Sequence, residues 1–588
     1  MNLYTGGISQ FILMNHIIIG GNMNIKAALS ELNIRHDNLQ FVPSTRTYLD
    51  GNTLYYKHIP SALLFLNHLS LFKTELKDDG LDVKGTMIDL SRNAVFKLNY
   101  FKSVIRKQAL LGFNEIWLYL EDVYNLDNYP KFGYLRGKYN LSELKSLDHY
   151  ADSLGVTLVP CIQTLGHMGQ FLRWSSSDEY KDQSDVLMID TSHKLISDMV
   201  KFCKAAFKTQ RIHVGMDETF GFGLGQYYKK YGYNEPETLF MAHLNQVNNI
   251  CLESGFKDVF IWSDMFFRHR SLTSSYYDHT IVFDKAFIDQ IPMNVGLVYW
   301  DYYNEDLSIY LKMLEKHLQM NRKVIMASGT WIWTKLMYDQ SKTLATTTHA
   351  IEACKRLNLK EIIFTQWQDD GAYVDYETNY LGLYDVTNIM TDNDLNTKYL
   401  GHVTEFDYET LCLMSQINHL GYYPIQLLWD DLLLGIYLNN LIGYDYKKLT
   451  LPIRKTNFYL RSIEKNSHLY YIVDILKLKL SIRQSLLKDY FTDGTFDSAI
   501  RKAKLFKKRM LKLVESFEKM WHERYRPFGL EVLQNRLFSQ IRRADEVLYW
   551  INAYTSKEID HIPFMEEILS KEPYLTVKHL DIAFSSKQ

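Results

Sequence analysis

The chain has 588 residues, about four times the commonest domain length, so two or three domains are expected rather than one. Its 66 basic and 68 acidic groups leave a formal charge of -2, without the basic excess of a dedicated binder of nucleic acid or anionic membrane. At 46% hydrophobic and 23% charged residues it can bury a large core and is not disordered; its 14% aromatic content, taken alone, reads as core filling.

The segment Phe11 to Gly20 is apolar, but no Lys or Arg precedes it and no small-residue cleavage site follows, which argues against a signal peptide. No apolar run approaches the roughly 20 residues of a membrane span. Cys161, Cys203, Cys251, Cys354 and Cys412 are widely spread and odd in number, predicting neither a disulfide framework nor a zinc knuckle. The expectation is a cytoplasmic protein with no cofactor and no metal.

Residues 1–80 carry short alternating segments, such as Ile34 to Thr45, and read as a small α/β domain. Between 81 and 400, eight short apolar runs end in polar residues: Gly85–Arg92, Glu115–Asp122, Thr157–Gln163, Arg211–Glu218, Val259–Met265, Val295–Tyr302, Lys323–Trp331 and Glu361–Asp369. Such near-continuous runs are what strands buried on both faces look like. Helix-like stretches lie between them, among them Val95–Leu111, Leu141–Leu154, Pro236–Ser254 and Ser341–Leu357. Eight alternations fit an α/β fold of the (β/α)8 TIM-barrel type. No glycine-rich phosphate fingerprint follows the first run, which disfavours a doubly wound sheet. Over 401–588 the pattern turns helical, with Tyr470, Ile472, Val473, Ile475, Leu476 and Leu478 at helical spacing. The basic run Arg501 to Arg509 is interleaved with Ala503, Leu505 and Phe506 and reads as the solvated face of an amphipathic helix.

A barrel carries its chemistry at the C-terminal ends of its strands. In chain order those ends offer Asp89 and Arg92; Glu121 and Asp122; Gln163 with His167; His213, Asp217 and Glu218; Trp262 and Asp264; Tyr299, Trp300, Asp301 and Tyr302; Trp331 and Trp333; Trp367 and Asp369. Large rings with carboxylates and one Arg at a single mouth suit a sugar, whose ring faces stack and whose hydroxyls take charged hydrogen bonds. The adjacent pair Asp217-Glu218 is the sharpest signal: side by side, each charge raises the other's affinity for a proton, separating an acid from an anion. His213 reads equally as a core histidine, and His167 as a loop brace. Glu121 and Asp122 read as a supporting shell or as partners of Arg92, and Asp264 as structural.

The motif His213-Val-Gly-Met-Asp-Glu218, with Asp89-x-x-Arg92, Gly166-His167, Trp262-x-Asp264, Trp300 and Trp367-x-Asp369 in this order, resembles glycoside hydrolase family 20, the β-N-acetylhexosaminidases. Its wording, with Trp300-Asp-Tyr-Tyr303, is closer to the compact, largely bacterial intracellular branch. Met216 stands where the family more often has Gly, and Asp369 where it more often has Glu. The tyrosine that usually holds the acetamido oxygen is absent from the seventh strand, leaving Tyr302 or Tyr299 to serve. The resemblance implies exo-hydrolysis of terminal β-linked GlcNAc or GalNAc with retention, the substrate's own acetamido oxygen attacking the anomeric carbon. Glu218 would be the general acid and Asp217 the partner of the acetamido group; Arg92 and Asp369 would bind hydroxyls, and Trp262, Trp300, Trp331 and Trp367 would wall the pocket. Its partners would be glycans or glycoconjugates ending in N-acetylhexosamine, with no nucleic acid and no membrane; the helical tail is free to cap the barrel, form a homodimer or supply a residue to a neighbour. Two rival enzymes share these residues: a two-carboxylate retaining β-glycosidase with Glu121 or Asp264 as nucleophile, and a metal-dependent hydrolase using His167, His213, Asp217 and Asp264. A third rival is a catalytically silent carbohydrate-binding or scaffold protein.

Overall fold

The computed structural model describes residues 23–34, 38–68, 75–76, 80–273, 275–392, 395–568 and 579. The apolar stretch Phe11–Gly20 and part of Ile34–Thr45 lie outside them.

A helix, Met23–Glu31, precedes a three-stranded sheet of β1 (Gln40–Pro43), β2 (Tyr48–Asp50) and β3 (Thr53–Tyr56), with β1 parallel and β2 antiparallel to the central β3. The buried helix Ile59–Asn67 then lies against the turns that lead into the second and third barrel strands. There Gly112 and Gly155 have positive φ, and an added Cβ would meet Leu64 at 3.0 Å and Ile59 at 2.6 Å.

The next eight strands close into one parallel barrel in chain order: β4 (Val83–Asp89), β5 (Glu115–Tyr119), β6 (Thr157–Cys161), β7 (Arg211–His213), β8 (Asp258–Trp262), β9 (Val295–Trp300), β10 (Val324–Gly329) and β11 (Glu361–Gln366). Full helices follow most strands, for example Leu98–Leu110, Leu141–Ser153, Pro236–Glu253 and Gln340–Arg356. Asn140 caps the second of these in a reciprocal box with Glu143. After β8 the helix is reduced to two short turns, Asp264–Arg268 and Lys285–Ile288, and between them Tyr276 and Tyr277 pack on Trp300.

The lumen is filled by alternate residues of successive strands, Met87, Trp117 with Tyr119, Val159 with Cys161, Phe260 with Trp262, Val298, Ile325 with Ala327, and Ile363. Glycine makes room for the largest of them: a Cβ on Gly296 would lie 2.5 Å from the Phe260 ring. This single cluster runs continuously up to Tyr302, Trp331, Trp333 and Trp367, so the floor of the mouth is the top of the core.

Beyond the barrel the chain is helical. Three long helices, His468–Phe491, Asp497–Arg524 and Leu530–Thr555, pack side by side through stripes such as Ala503, Phe506, Met510, Leu513 and Phe517. In the basic run 501–509 of the middle helix Arg501, Lys504 and Lys508 are exposed, as a solvated face requires, whereas Lys507 and Arg509 turn to the flanking helices and pair with Asp545 and Asp474. Among the described residues no helix is long and apolar enough to cross a membrane.

Candidate active site

The strand β7 is short because the chain leaves extended geometry just after it. Gly215, Met216 and Glu218 have φ of 74°, 72° and 50°. A Cβ at Gly215 would sit 2.0 Å from the Gln163 side chain, so glycine is required there. Left-handed geometry is comfortable for glycine and costs Met roughly 1 kcal/mol or more. The tight path turns two consecutive carboxylates, Asp217 and Glu218, toward the same mouth.

Their surroundings separate them. Asp217 is buried, which opposes its charge, but the His167 ring 3.3 Å away and the Gln163 amide donating at 3.0 Å outweigh that and hold its carboxyl below the ordinary range. For Glu218, burial and the neighbouring Asp217 charge both push the carboxyl up, against the pull of His167 at 3.6 Å, Tyr276 and Arg92. His167 bridges the pair; burial disfavours its proton, the Asp217 anion favours it more strongly, and its pKa rises to about 9. One member is thus held toward its anion and the other pushed toward its protonated form, with an imidazolium between them.

Asp264 stands behind Glu218. Its Oδ2 accepts the Glu218 backbone N–H at 3.1 Å, and burial together with the charges of Asp217 and Glu218 drives its carboxyl far toward the neutral form. His213 lies below, with Nδ1 accepting the Gly215 N–H at 3.1 Å and its ring 4.6 Å from Trp262. Burial lowers it to about 3, so it is a neutral prop under the turn.

On the opposite side of the mouth Asp89 organises the first loop. Its Oδ1 accepts the N–H groups of Ser91 and Arg92 at 3.0 and 3.1 Å, and its Oδ2 accepts Arg92 Nη1 at 3.2 Å and the Gln368 N–H at 3.0 Å. The Arg92 guanidinium lies between the rings of Tyr119 (5.0 Å) and Trp367 (4.9 Å), with Nε 3.2 Å from Asp369 Oδ1.

The tryptophans converge as their positions predict. Trp262 and Trp367 are 6.1 Å apart, Trp300 stacks with Tyr302 at 5.6 Å, and Tyr302 meets Trp333, itself stacked on Trp331 at 4.0 Å. The Tyr302 phenol bonds Thr365 and Trp367 at the mouth floor. Tyr299 is corrected: strand alternation turns it outward, where its hydroxyl donates to Asp301 at 2.7 Å and its ring packs on Tyr277 and His317. Asp301 in turn accepts the N–H groups of Tyr303 and Asn304, fixing a loop rather than facing a ligand. Asp122 is bound to Arg136 at 3.1 Å; Glu121 accepts from the Tyr119 hydroxyl at 3.2 Å and lies 3.6 Å from the same Arg136.

Two functional positions escaped sequence reasoning. Tyr119, one side of the Arg92 sandwich, could have been found from its inward alternation with Trp117. Tyr276 could not: it lies in the irregular segment after β8, bonds the Glu218 carboxyl, packs 5.3 Å from Trp300, and carries Arg268 over its ring at 5.1 Å.

Residues 417–580 match the model of the glycoside hydrolase 20C C-terminal domain. The C-terminal part of the chain is thus similar to the C-terminal domain of a family 20 glycoside hydrolase. It is similar to hexosaminidase D of Bos taurus, 23% identical over 263 residues that span 43% of this chain and 68% of that protein. Hexosaminidase D of Homo sapiens is 23% identical over 244 residues, 40% of this chain and 46% of that one. Similar solved structures include a chitobiase of Flavobacterium johnsoniae, with 14% identity, TM-score 0.49 and coverage of 86% of this chain and 95% of that one. Another is a β-N-acetylhexosaminidase of Bacteroides fragilis, with 14% identity, TM-score 0.47 and coverage of 63% and 83%. The likeness in family model lies in the C-terminal domain, while the barrel mouth gathers Arg92, His167, Asp217, Glu218, Trp262, Trp367 and Asp369.

Proposed function

We propose that this protein is a family 20 exo-acting β-N-acetylhexosaminidase that removes terminal non-reducing β-linked GlcNAc or GalNAc by substrate-assisted catalysis. The observation that carries the reading is the separated pair at the end of β7: an Asp217 anion held by Gln163 and His167, beside a Glu218 acid raised by burial and by that anion. An acetamido sugar uses both. Glu218 gives its proton to the glycosidic oxygen while the acetamido carbonyl oxygen closes on the anomeric carbon, breaking the C–O bond and forming an oxazolinium ring. Asp217 accepts the acetamido N–H and balances the positive charge that develops on it. Glu218, now ionised, takes a proton from water as the water opens the ring, and the product keeps the β configuration.

The remaining residues hold the sugar. Arg92 donates to the 3- and 4-hydroxyls and Asp369 accepts from the 4- or 6-hydroxyl. Trp262, Trp300 and Trp367 bracket the acetamido group and the ring face, keeping the internal nucleophile in attack geometry. Tyr302 is the phenol at the floor that can donate to the acetamido oxygen. The two-carboxylate alternative lacks an available nucleophile: Asp264 is fully buried behind the Glu218 backbone and pushed toward neutrality, and Glu121 is buried against Tyr119 and Arg136. On this reading the enzyme belongs to the compact, largely bacterial branch and works in the cytoplasm, consistent with five unpaired cysteines.

The test is a comparison of an aryl N-acetyl-β-glucosaminide with the matched aryl β-glucoside, with and without a thiazoline mimic of the oxazoline ring. Turnover of the first alone, blocked by the thiazoline, is expected. Equal turnover of both would overturn the reading.

A further inference from the structure

The C-terminal helices touch the barrel where the two hydroxyl-binding side chains are set. Asn93, the residue after Arg92, has φ of 83°, and its Nδ2 donates to the Gly529 carbonyl at 2.9 Å. The same loop is bridged again just beyond: the Lys97 N–H donates to the Arg524 carbonyl at 2.9 Å, and the Arg526 N–H to the Val95 carbonyl at 2.8 Å. Phe96 lies stacked on Tyr525 at 5.3 Å. Asp370, the residue after Asp369, has φ of 65°; its carbonyl accepts Arg536 Nη1 at 2.6 Å and its Oδ1 accepts the same group at 3.2 Å. Its Oδ2 takes the His579 N–H at 3.1 Å.

Gly529 caps the helix Leu530–Thr555 and Arg536 lies in its second turn. Asn93 and Asp370 both hold left-handed backbone, which persists in non-glycine residues when the surroundings over-determine it. The surroundings here are supplied by that helix. No side chain fits at Gly529, where a Cβ would lie 2.1 Å from the Asn93 carbonyl oxygen. Between the two braced loops Arg92 Nε reaches Asp369 Oδ1 at 3.2 Å.

We propose that Gly529 and Arg536 are positioning residues for the sugar-hydroxyl clamp, so that the C-terminal domain sets how the non-reducing-end 3- and 4-hydroxyls are read. The inference rests on the hexosaminidase reading for the identity of the ligand, and on the two braced loops for the mechanism. A domain that merely stabilises the barrel would affect all substrates alike. A domain that sets the clamp affects those with a hydroxyl to clamp.

The experiment uses the full-length protein and the variants Arg536→Gln, Arg536→Lys and Gly529→Ala, with an aryl N-acetyl-β-glucosaminide and its 4-deoxy analogue. Arg536→Gln and Gly529→Ala are expected to lose about ten- to a hundredfold in kcat/KM on the parent, mostly through KM, and only a few-fold on the 4-deoxy compound. Arg536→Lys should recover part of the loss. Equal losses on both compounds, or none on the parent, would overturn the proposal. Hydrogen exchange provides a readout independent of turnover. Faster exchange over 89–96 and 367–374 in Arg536→Gln is expected, and unchanged exchange there would overturn the brace. Wild-type protein inert on the parent glycoside would refute the hexosaminidase reading and leave this exchange result to decide the brace.

Discussion

At the bottom of the barrel Arg211 reaches Glu115 at 3.1 Å and Glu361 at 2.5 Å, and Lys323 reaches Glu361 at 2.5 Å, two cations against two carboxylates. At the mouth Asp89, Glu121, Asp217, Glu218, Asp264 and Asp369 share Arg92 and His167, with Arg136 held at the edge. Both rims bury charge, and burial is costly unless the charge is paired. The lower rim pairs it, although burial still pushes Glu115 up to about 7. The upper rim leaves carboxylates in excess, and burial with neighbouring negative charge pushes Glu218 and Asp264 toward their protonated forms, while the Asp217 anion raises His167 to about 9. Balanced charge holds a barrel closed; unbalanced charge stores the protons that acid catalysis needs.

Substitutions at the two rims should therefore fail in different assays. The largest effect is expected from Glu218→Gln, which removes the proton donor. Steady-state kinetics on poor leaving groups should show a loss of about 10²–10⁴ in kcat, with unfolding unchanged. Next comes Arg211→Met at the lower rim, which strands the buried Glu115 and leaves Glu361 to Lys323 alone. Denaturant unfolding should show a loss of about 3 kcal/mol, near the low end for a broken buried pair because Glu115 can take up a proton, while kcat of the folded protein stays at the wild-type value. Asp217→Asn should cost about 10²–10³ in kcat on acetamido substrates, since the charge opposing the oxazolinium is gone.

The smallest effect is expected from Tyr276→Phe. The phenol stabilises the ionised form of Glu218, which faces Asp217, His167, Arg92 and Asp264 as well. Removing it raises the Glu218 pKa, so the alkaline limb of the kcat/KM profile should move to higher pH. A limb that stays in place would take Tyr276 out of the acid's surroundings. The His167–Asp217 contact has its own pH signature. The His167 pKa is raised from 6.5 to about 9, so its contribution to stability is full below about pH 6.5 and is lost as pH rises through 9.

Much of this contrast was legible in the sequence, because strand order fixes which residues share a rim. The ends of eight apolar runs gathered Arg92, His167, Asp217, Glu218, Asp369 and the tryptophans before any coordinates. Which face Tyr299 takes was not legible, since VGLVYW is apolar on both faces and shows no alternation. The Arg211–Glu361 pair joins residues far apart in the chain and needs the barrel to close before it exists. Tyr276 sits in a segment without periodicity, and the Asn93–Gly529 and Asp370–Arg536 contacts depend on how the helical domain docks. Local pattern carries the strands and their ends; contacts made by closure and docking appear only in three dimensions.

The central claim is that the mouth's separated pair serves a nucleophile carried by the substrate. The most direct measurement is kcat for aryl glycosides whose 2-acetamido group bears zero, one, two or three fluorines, at fixed leaving group and pH. Each fluorine weakens the carbonyl oxygen as a nucleophile, so a steep, monotonic fall in kcat is predicted. A flat series would mean that a protein side chain attacks the anomeric carbon, and would contradict the account.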